Sequence, residues 1–269
     1  MTESFIHTTN SLLHIEKWQN LNTRLRAGFT TRQGGLSQDP YKSFNLGLHV
    51  DDDKNIVIKN RQRLAQKLEI PLDNWVAGEQ IHSTEVVEIN QHDLGKGAIS
   101  YQDSLQKIDG MITNEAGMLC TAFFADCVPL FFFDPVTNYI GIAHAGWKGS
   151  VQRIAGKMVD KLQATGVDIA NLLVAIGPCI SQQVYEVDEH VTRHIPEKIC
   201  EKVTINQENG HYLLDLKQLN VEILLQCGVI RHNIDVTNYC TFRDESLFFS
   251  HRRDNGETGR MLGYIGYST

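Results

Sequence analysis

The stretch Phe123-Phe-Ala-Asp126-Cys127-Val-Pro-Leu130-Phe-Phe-Phe133-Asp134-Pro135-Val-Thr-Asn138-Tyr139-Ile-Gly-Ile-Ala143-His144-Ala-Gly-Trp147-Lys148-Gly149 holds two apolar, β-prone runs, Leu130 to Phe133 and Tyr139 to Ala143. They flank a turn signal at Asp134-Pro135 and Asn138, which predicts a buried hairpin or two neighbouring strands. Cys127 precedes the first run and His144 follows the second. If the strands pair antiparallel, thiol and imidazole lie side by side at one rim of the sheet. Such a pair is either half a metal site or a nucleophile with its base.

Outward from this hairpin the chain alternates strands and helices. Leu12 to Glu16 and Leu25 to Thr31 read as short strands. The second runs into Thr31-Arg32-Gln33-Gly34-Gly35, opening a long irregular segment through Pro40 and Tyr41 to Ser43-Phe-Asn45-Leu-Gly47. Loops of this length in compact domains are functional, or form surface Ω-loops. Asp51-Asp52-Asp53 caps a helix from about Lys54 to Leu68 with Ile56, Val57, Asn60, Leu64 and Leu68 on one face.

Glu85 to Ile89, Lys107 to Thr113, Gly117 to Phe124, Leu172 to Gly177 and Met261 to Ile265 complete the expected strands, and His82 stands just before the first of these. After His144, apolar residues at steps of three and four predict an amphipathic helix over Lys148 to Ala164. Its N-terminus and Lys148 would then offer an anion site beside His144. Asp188 to His194 reads as a solvated helix carrying His190 and His194, and Leu213 to Gly228 as a second long helix closed by Gly228. Arg243, Arg252 and Arg253 near apolar residues suggest anion recognition.

No linker, repeat or low-complexity segment interrupts the 269 residues, so a single α+β domain over residues 1–269 is the economical reading. The net charge of -7 argues against general nucleic-acid binding, which needs a basic face. The N-terminus lacks the pattern of a secretory signal and no run is long enough to span a membrane, so a cytoplasmic protein is expected. Six cysteines without a CxxC pair suit a reducing compartment. Monomer and homodimer both remain open.

His82, Cys127 and His144 all fall at strand or loop boundaries around one inferred sheet. Two imidazoles and a thiolate suit zinc, with a fourth position left for water in a catalytic site. Asp126 could then orient a ligand or move a proton. Two other readings stay open on spacing alone: Cys127 as a nucleophile with His144 as base, or Cys127 as a core thiol with histidines that cap strands.

Several motifs carry a family resemblance: Phe29-Thr-Thr-Arg-Gln-Gly-Gly35, Ser43-Phe-Asn-Leu-Gly-Leu-His49, Asn60-Arg61, Gln80-Ile-His82, Ala125-Asp-Cys-Val-Pro129, Ala143-His-Ala-Gly-Trp147, Gly177-Pro-Cys-Ile180 and Phe249-Ser-His-Arg-Arg-Asp254. In this order, over roughly Arg26 to Ile265, they resemble the YfiH-type family, once grouped as polyphenol oxidase or laccase domains and now described as purine nucleoside phosphorylases. The resemblance implies a layered αββα mixed-sheet domain and a zinc ion held by His82, Cys127 and His144. It further implies phosphorolysis of adenosine, inosine, guanosine and methylthioadenosine, together with adenosine deamination. By motif position it offers Asn45, Arg61 and Lys148 for substrate or phosphate. Two positions depart from the family pattern: Lys148 stands where arginine is expected, and Phe123-Phe124 where smaller polar residues precede Ala-Asp-Cys.

The alternatives are a cysteine hydrolase or amidase acting on peptidoglycan precursors, and a non-catalytic zinc-binding protein. Copper oxidation is disfavoured because none of the 11 histidines forms a His-x-His pair.

Overall fold

A computed structural model describes residues 3–268. The residues fold into two six-stranded mixed sheets and a small three-stranded one. The first sheet contains β1 (Phe5–Thr9), β2 (Leu12–Ile15), β3 (Leu25–Thr30), β4 (Trp75–Ala77), β7 (Leu119–Phe124) and β15 (Met261–Tyr267), in the order β1-β2-β3-β15-β7-β4. The second contains β5 (Val86–Glu88), β6 (Gly110–Thr113), β8 (Val128–Phe133), β9 (Ile140–Ala145), β10 (Leu173–Ile176) and β14 (Ile234–Val236), in the order β14-β10-β8-β9-β6-β5. The third joins β11 (Glu186–Asp188), β12 (Thr204–Asn206) and β13 (His211–Leu214).

The run Leu130 to Phe133 is continuously apolar because both faces of β8 are covered. Phe131 and Phe133 turn toward the first sheet and pack with Phe29, Phe124 and Ile142. Leu130 and Phe132 face the other way, into a cluster with Met158, Leu162 and Leu224. Burying each of these side chains contributes about 1.5–3 kcal/mol.

The helices are α1 (Glu16–Leu21), α2 (Lys54–Leu68), α3 (Trp147–Val151), α4 (Ile154–Ala164), α5 (Glu189–Thr192), α6 (Glu197–Val203) and α7 (Leu216–Gln226). Leu64 and Leu68 of α2 cover the outer face of the first sheet through Trp75, Leu119 and Tyr264. Helices α4 and α7 cover the outer face of the second. The expected αββα layering results. Asp53 caps α2 by accepting from the Asn55 backbone at 2.8 Å, as the acidic run predicted. No helix among the described residues is long and apolar enough to cross a membrane.

Two helices differ from the expected ones. The single helix over Lys148 to Ala164 is broken into α3 and α4 by Arg153, whose φ of 66° is left-handed. Periodicity hid the break because Val151 and Ile154 pack against the same core on either side of it. The helix expected from Leu213 begins at Leu216, because residues 211–214 pair with both neighbours as β13. Asp215 starts the helix by accepting from the Gln218 backbone at 2.9 Å.

Candidate metal centre and its cleft

Strands β8 and β9 pair antiparallel with Val128 opposite Ala145 and Pro129 opposite His144. Cys127, one residue ahead of β8, is thereby brought to His144 as the hairpin reading expected. The turn that sets this register is closed by Asp134: its backbone carbonyl accepts from the Asn138 N–H at 2.9 Å and its N–H donates to the Tyr139 carbonyl at 2.8 Å.

His82 arrives from elsewhere. It lies on the crossover from β4 of the first sheet to β5 of the second, just as Cys127 lies on the crossover from β7 to β8. One donor atom from each of His82, Cys127 and His144 lies within 4.8 Å of the others. The two imidazole rings meet edge to face with centroids 4.8 Å apart, and Nε2 of His82 is 3.7 Å from Sγ of Cys127.

Left-handed backbone at His82 (φ 62°) and Asp126 (φ 87°) lets both loops bend into the site. Gly146 completes the approach. A Cβ there would come within 2.6 Å of Cδ2 of His82 and 3.1 Å of Sγ of Cys127.

The residue that organises this group is Asp109, which spacing did not single out. Its Oδ1 accepts from the His82 backbone N–H at 3.1 Å and pairs with Nδ1 of His144 at 2.9 Å. Its Oδ2 accepts from the backbone N–H groups of Ile81 and Ser83 and from the Ser83 hydroxyl, at 3.1, 2.7 and 2.8 Å. One buried carboxylate therefore sets the His82 loop and orients the His144 ring. With Nδ1 engaged, Nε2 of His144 is left for a metal or the thiolate, the arrangement in which an outer carboxylate fixes a metal-binding histidine. Burial alone would raise the Asp109 pKa; the bond and charge of His144 and the Ser83 donors bring it below the ordinary value.

The same reasoning applies to the donors. Burial opposes ionisation of Cys127, but the charge and hydrogen bonds of His144, then those of His82, hold its thiol below the usual range. Burial likewise opposes a charge on His144, while Cys127 and Asp109 outweigh it and raise that imidazole. A sulfur and two nitrogen donors in this proximity could hold a metal ion.

A testable consequence concerns the metal-free protein. Iodoacetamide is expected to react first at Cys127, with its half-maximal rate well below the ordinary thiol pKa of about 8.5. Cys120 and Cys179, whose thiols burial pushes up to about 12, should stay unmodified, and peptide mass spectrometry over time reads both results.

The donors open onto a cleft of about 440 Å³ lined further by His49, Gln80, Phe123, Trp147, Tyr185, Arg252 and Arg260. A smaller recess of about 210 Å³ shares His82, Cys127, Trp147 and Tyr185 with the cleft and is lined further by Lys148, Ile180 and Leu216. Gln80 fixes the Phe123 wall by accepting from its N–H at 2.7 Å and donating to its carbonyl at 2.9 Å. His49 packs against Phe123 and Tyr101; enclosure first, and then Arg260, Arg61 and His144, lower its pKa.

The remaining expected site residues divide. Lys148 lines the recess, with Nζ 5.7 Å from the Trp147 ring. Helix α3 behind it has only five residues, so the anion site expected at a long helix N-terminus has no such helix. Asp126 borders both cavities, yet its carboxylate accepts from the Thr241 and Ser250 hydroxyls at 2.6 and 3.0 Å and from the Arg252 backbone at 2.7 Å. It ties the Cys127 turn to the C-terminal segment.

Asn45 and Arg61 do not line the cleft. Asn45 is buried and donates to Asp52 at 2.9 Å while accepting from the Gly47 and Arg260 backbones. Arg61 is buried beneath Phe123 and donates to the carbonyls of Leu46, Gly97 and Ala98.

Of the three arginines read as anion-recognising, Arg253 is committed to the carbonyls of Thr241, Phe242 and Phe248 and to Asp254. Arg252 alone reaches the cleft, over the Tyr185 ring. His190 and His194 face Trp147 rather than the donor group.

Residues 26–268 match the family described as multi-copper polyphenol oxidoreductase laccase. The chain is 43% identical over 270 residues to "Purine nucleoside phosphorylase YlmD" of Bacillus subtilis, covering 97% of this chain and 96% of the relative. The chain belongs to the YfiH/laccase-like family. Its fold superposes on the crystal structure of the hypothetical protein YfiH of Bacillus licheniformis with a TM-score of 0.95 at 40% identity, over 99% of this chain and 100% of that one. YlmD of Geobacillus stearothermophilus gives 0.94 at 38% identity, over 100% of both chains.

Proposed function

We propose that the protein is a zinc-dependent purine nucleoside phosphorylase acting on adenosine, inosine, guanosine and methylthioadenosine, with adenosine deaminase activity at the same site. The observation that carries this reading is the His82-Cys127-His144 donor group at the floor of an aromatic-walled cleft, in a chain whose relative bears the phosphorylase name. The donor set is that of a single-ion site, rather than the multi-copper cluster in the family's description. Because the group forms where crossovers between the two large sheets meet, residues 1–269 act as one domain in this reading.

Zinc, when bound, supplies Lewis-acid polarisation at neutral pH. The chain supplies position. The cleft falls in the range of about 300–1,000 Å³ usual for small-molecule sites. Trp147, Tyr185 and Phe123 offer flat apolar faces to a purine, and the bonds from Gln80 keep the Phe123 wall fixed. Lys148, Arg252 and Arg260 supply positive charge for phosphate. Asp126 acts here as a positioning residue, since its oxygens are committed to three donors.

Purified protein with adenosine and phosphate should yield adenine with ribose 1-phosphate, and also inosine. Chelator should suppress all three products and added zinc restore them, as read by chromatography. If zinc-loaded protein forms none of them, the proposal fails.

The Cys127-His144-Asp109 line also matches a nucleophile, base and orienter, which favours a cysteine hydrolase or amidase as second reading. Its activity, for example on peptidoglycan precursors, should resist chelator and succumb to alkylation. The proximity of His82 to the same sulfur favours the metal, because a triad has no use for a second imidazole there.

A further inference from the structure

We propose that Arg260, seated on Gly47 beside His49, is the oxyanion subsite of the cleft and receives inorganic phosphate. The identity of the anion rests on the phosphorylase reading above; the subsite itself rests on the following geometry.

Arg260 lines the cleft together with all three metal-type donors. Its Nη1 donates to the carbonyls of Thr258 and Gly259 at 2.7 and 3.0 Å. A guanidinium has five N–H groups, so the Nε and Nη2 edge retains its donors. That edge matches two oxygens of a phosphate in a bidentate contact. Among the described residues Arg260 forms no ion pair, although it is half-buried. Cys127 and Asp126 act on it only through space, so a bound anion would supply the direct counter-charge that a partly desolvated cation favours.

The other cations near the cleft lack this combination. Arg61 is consumed by three carbonyls beneath Phe123. The exposed Arg252 donates to the Glu186 carbonyl at 2.9 Å and covers Tyr185. Lys148 is exposed and lines the smaller recess, where it can present a point charge but no fork.

Arg260 is also held in register. Its N–H donates to Oδ1 of Asn45 at 2.9 Å, and its carbonyl accepts from Leu46 at 3.1 Å. Its stem lies against Gly47, where a Cβ would come within 2.7 Å of its Cγ and 3.3 Å of the His49 ring. Asn45, read from the sequence as a pocket residue, thus acts through Arg260. An outer cleft that shares His49 and Arg260 is lined by Asp39, Asp51 and Glu257. Those carboxylates disfavour an anion in the outer cleft, and the phosphate is assigned to the metal-centre side, where Arg252 lines the cleft beside Arg260.

The test is calorimetric titration of zinc-loaded protein with inorganic phosphate at constant ionic strength, paired with phosphate KM values. Arg260→Gln should weaken phosphate binding and raise phosphate KM by roughly 10- to 100-fold, the loss of a charge-assisted contact. The nucleoside KM should move no more than about twofold to threefold, about 0.7 kcal/mol or less. Arg260→Lys, which keeps charge but not the fork, should fall between, and wild-type melting temperature and zinc content in both variants guard against a folding defect.

Wild-type phosphate affinity in Arg260→Gln overturns the subsite. So does a loss carried by Lys148→Gln instead, or no phosphate binding by the wild type. If phosphate binds through Arg260 but no ribose 1-phosphate forms, the phosphorylase reading falls and the subsite stands. If ribose 1-phosphate forms and phosphate KM is unmoved in Arg260→Gln, the reading stands and the subsite falls.

Discussion

Cys127→Ala is expected to remove zinc from the protein and reduce product formation to background. The group offers one sulfur and two nitrogens, and losing the sulfur leaves two imidazoles contributed by separate strands and loops. Metal affinity should fall by well over the roughly 10- to 100-fold that loss of an outer hydrogen-bonding partner costs. The fold itself should survive, because the substitution deletes one partly exposed atom from a rim rather than a core side chain. Elemental analysis for zinc, circular dichroism and the nucleoside assay on one preparation separate these effects. Retained zinc with lost turnover would favour Cys127 as the covalent nucleophile, and retained turnover would remove it from the chemistry altogether.

That one substitution reaches both metal and turnover follows from where the donors sit. The crossovers carrying His82 and Cys127 each pass from the first large sheet to the second, and His144 closes β9 beside them. The packing of Phe131 and Phe133 against Phe29 and Phe124 therefore fixes donor spacing as well as stability. Gly146 keeps the space between His82 and Cys127 open.

The hairpin was legible because burial on both faces writes an uninterrupted apolar run, and a turn between two such runs leaves few alternatives for pairing. Polar residues at the outer ends of those runs then had to meet. Asp109 was not legible, since Asp109-Gly110 between apolar residues also reads as turn punctuation. Its five hydrogen-bonding partners come from Ile81, His82, Ser83 and His144, residues that only the fold brings together.

Arg61 shows the opposite failure. A mid-helix arginine carries no mark of whether it meets solvent, ligand or, as here, three backbone carbonyls. His49 stood inside a quoted motif without a role, and Arg252 stood among three arginines of which it alone meets the cleft, because a motif gives order along the chain and not direction in space. Tyr185 and Arg260 carried no local signal at all.

Asp109→Asn should test the organising carboxylate with almost no change in volume. Asparagine keeps one acceptor oxygen but turns an NH2 group toward donors that the second oxygen now satisfies. Whichever way the amide is oriented, either the Ile81 and Ser83 donors or the His82 and His144 pair lose an acceptor. Leaving buried donors unsatisfied costs about 1–3 kcal/mol each, so a loss of several kcal/mol and a melting temperature lower by roughly 10 °C are expected.

Zinc affinity should drop by roughly 10- to 100-fold as His144 loses its orienting partner. The pH dependence has a definite sign. Asp109 has a folded pKa below its unfolded value of about 3.9, so its contribution to stability is whole above that pH and is lost as pH falls through the lower folded value. In Asp109→Asn this acid limb should flatten while stability near neutrality is lower, as urea unfolding of metal-free protein from pH 2 to 7 would read. An unchanged acid limb together with wild-type zinc affinity would mean that the His82 loop and the His144 strand hold their positions without Asp109.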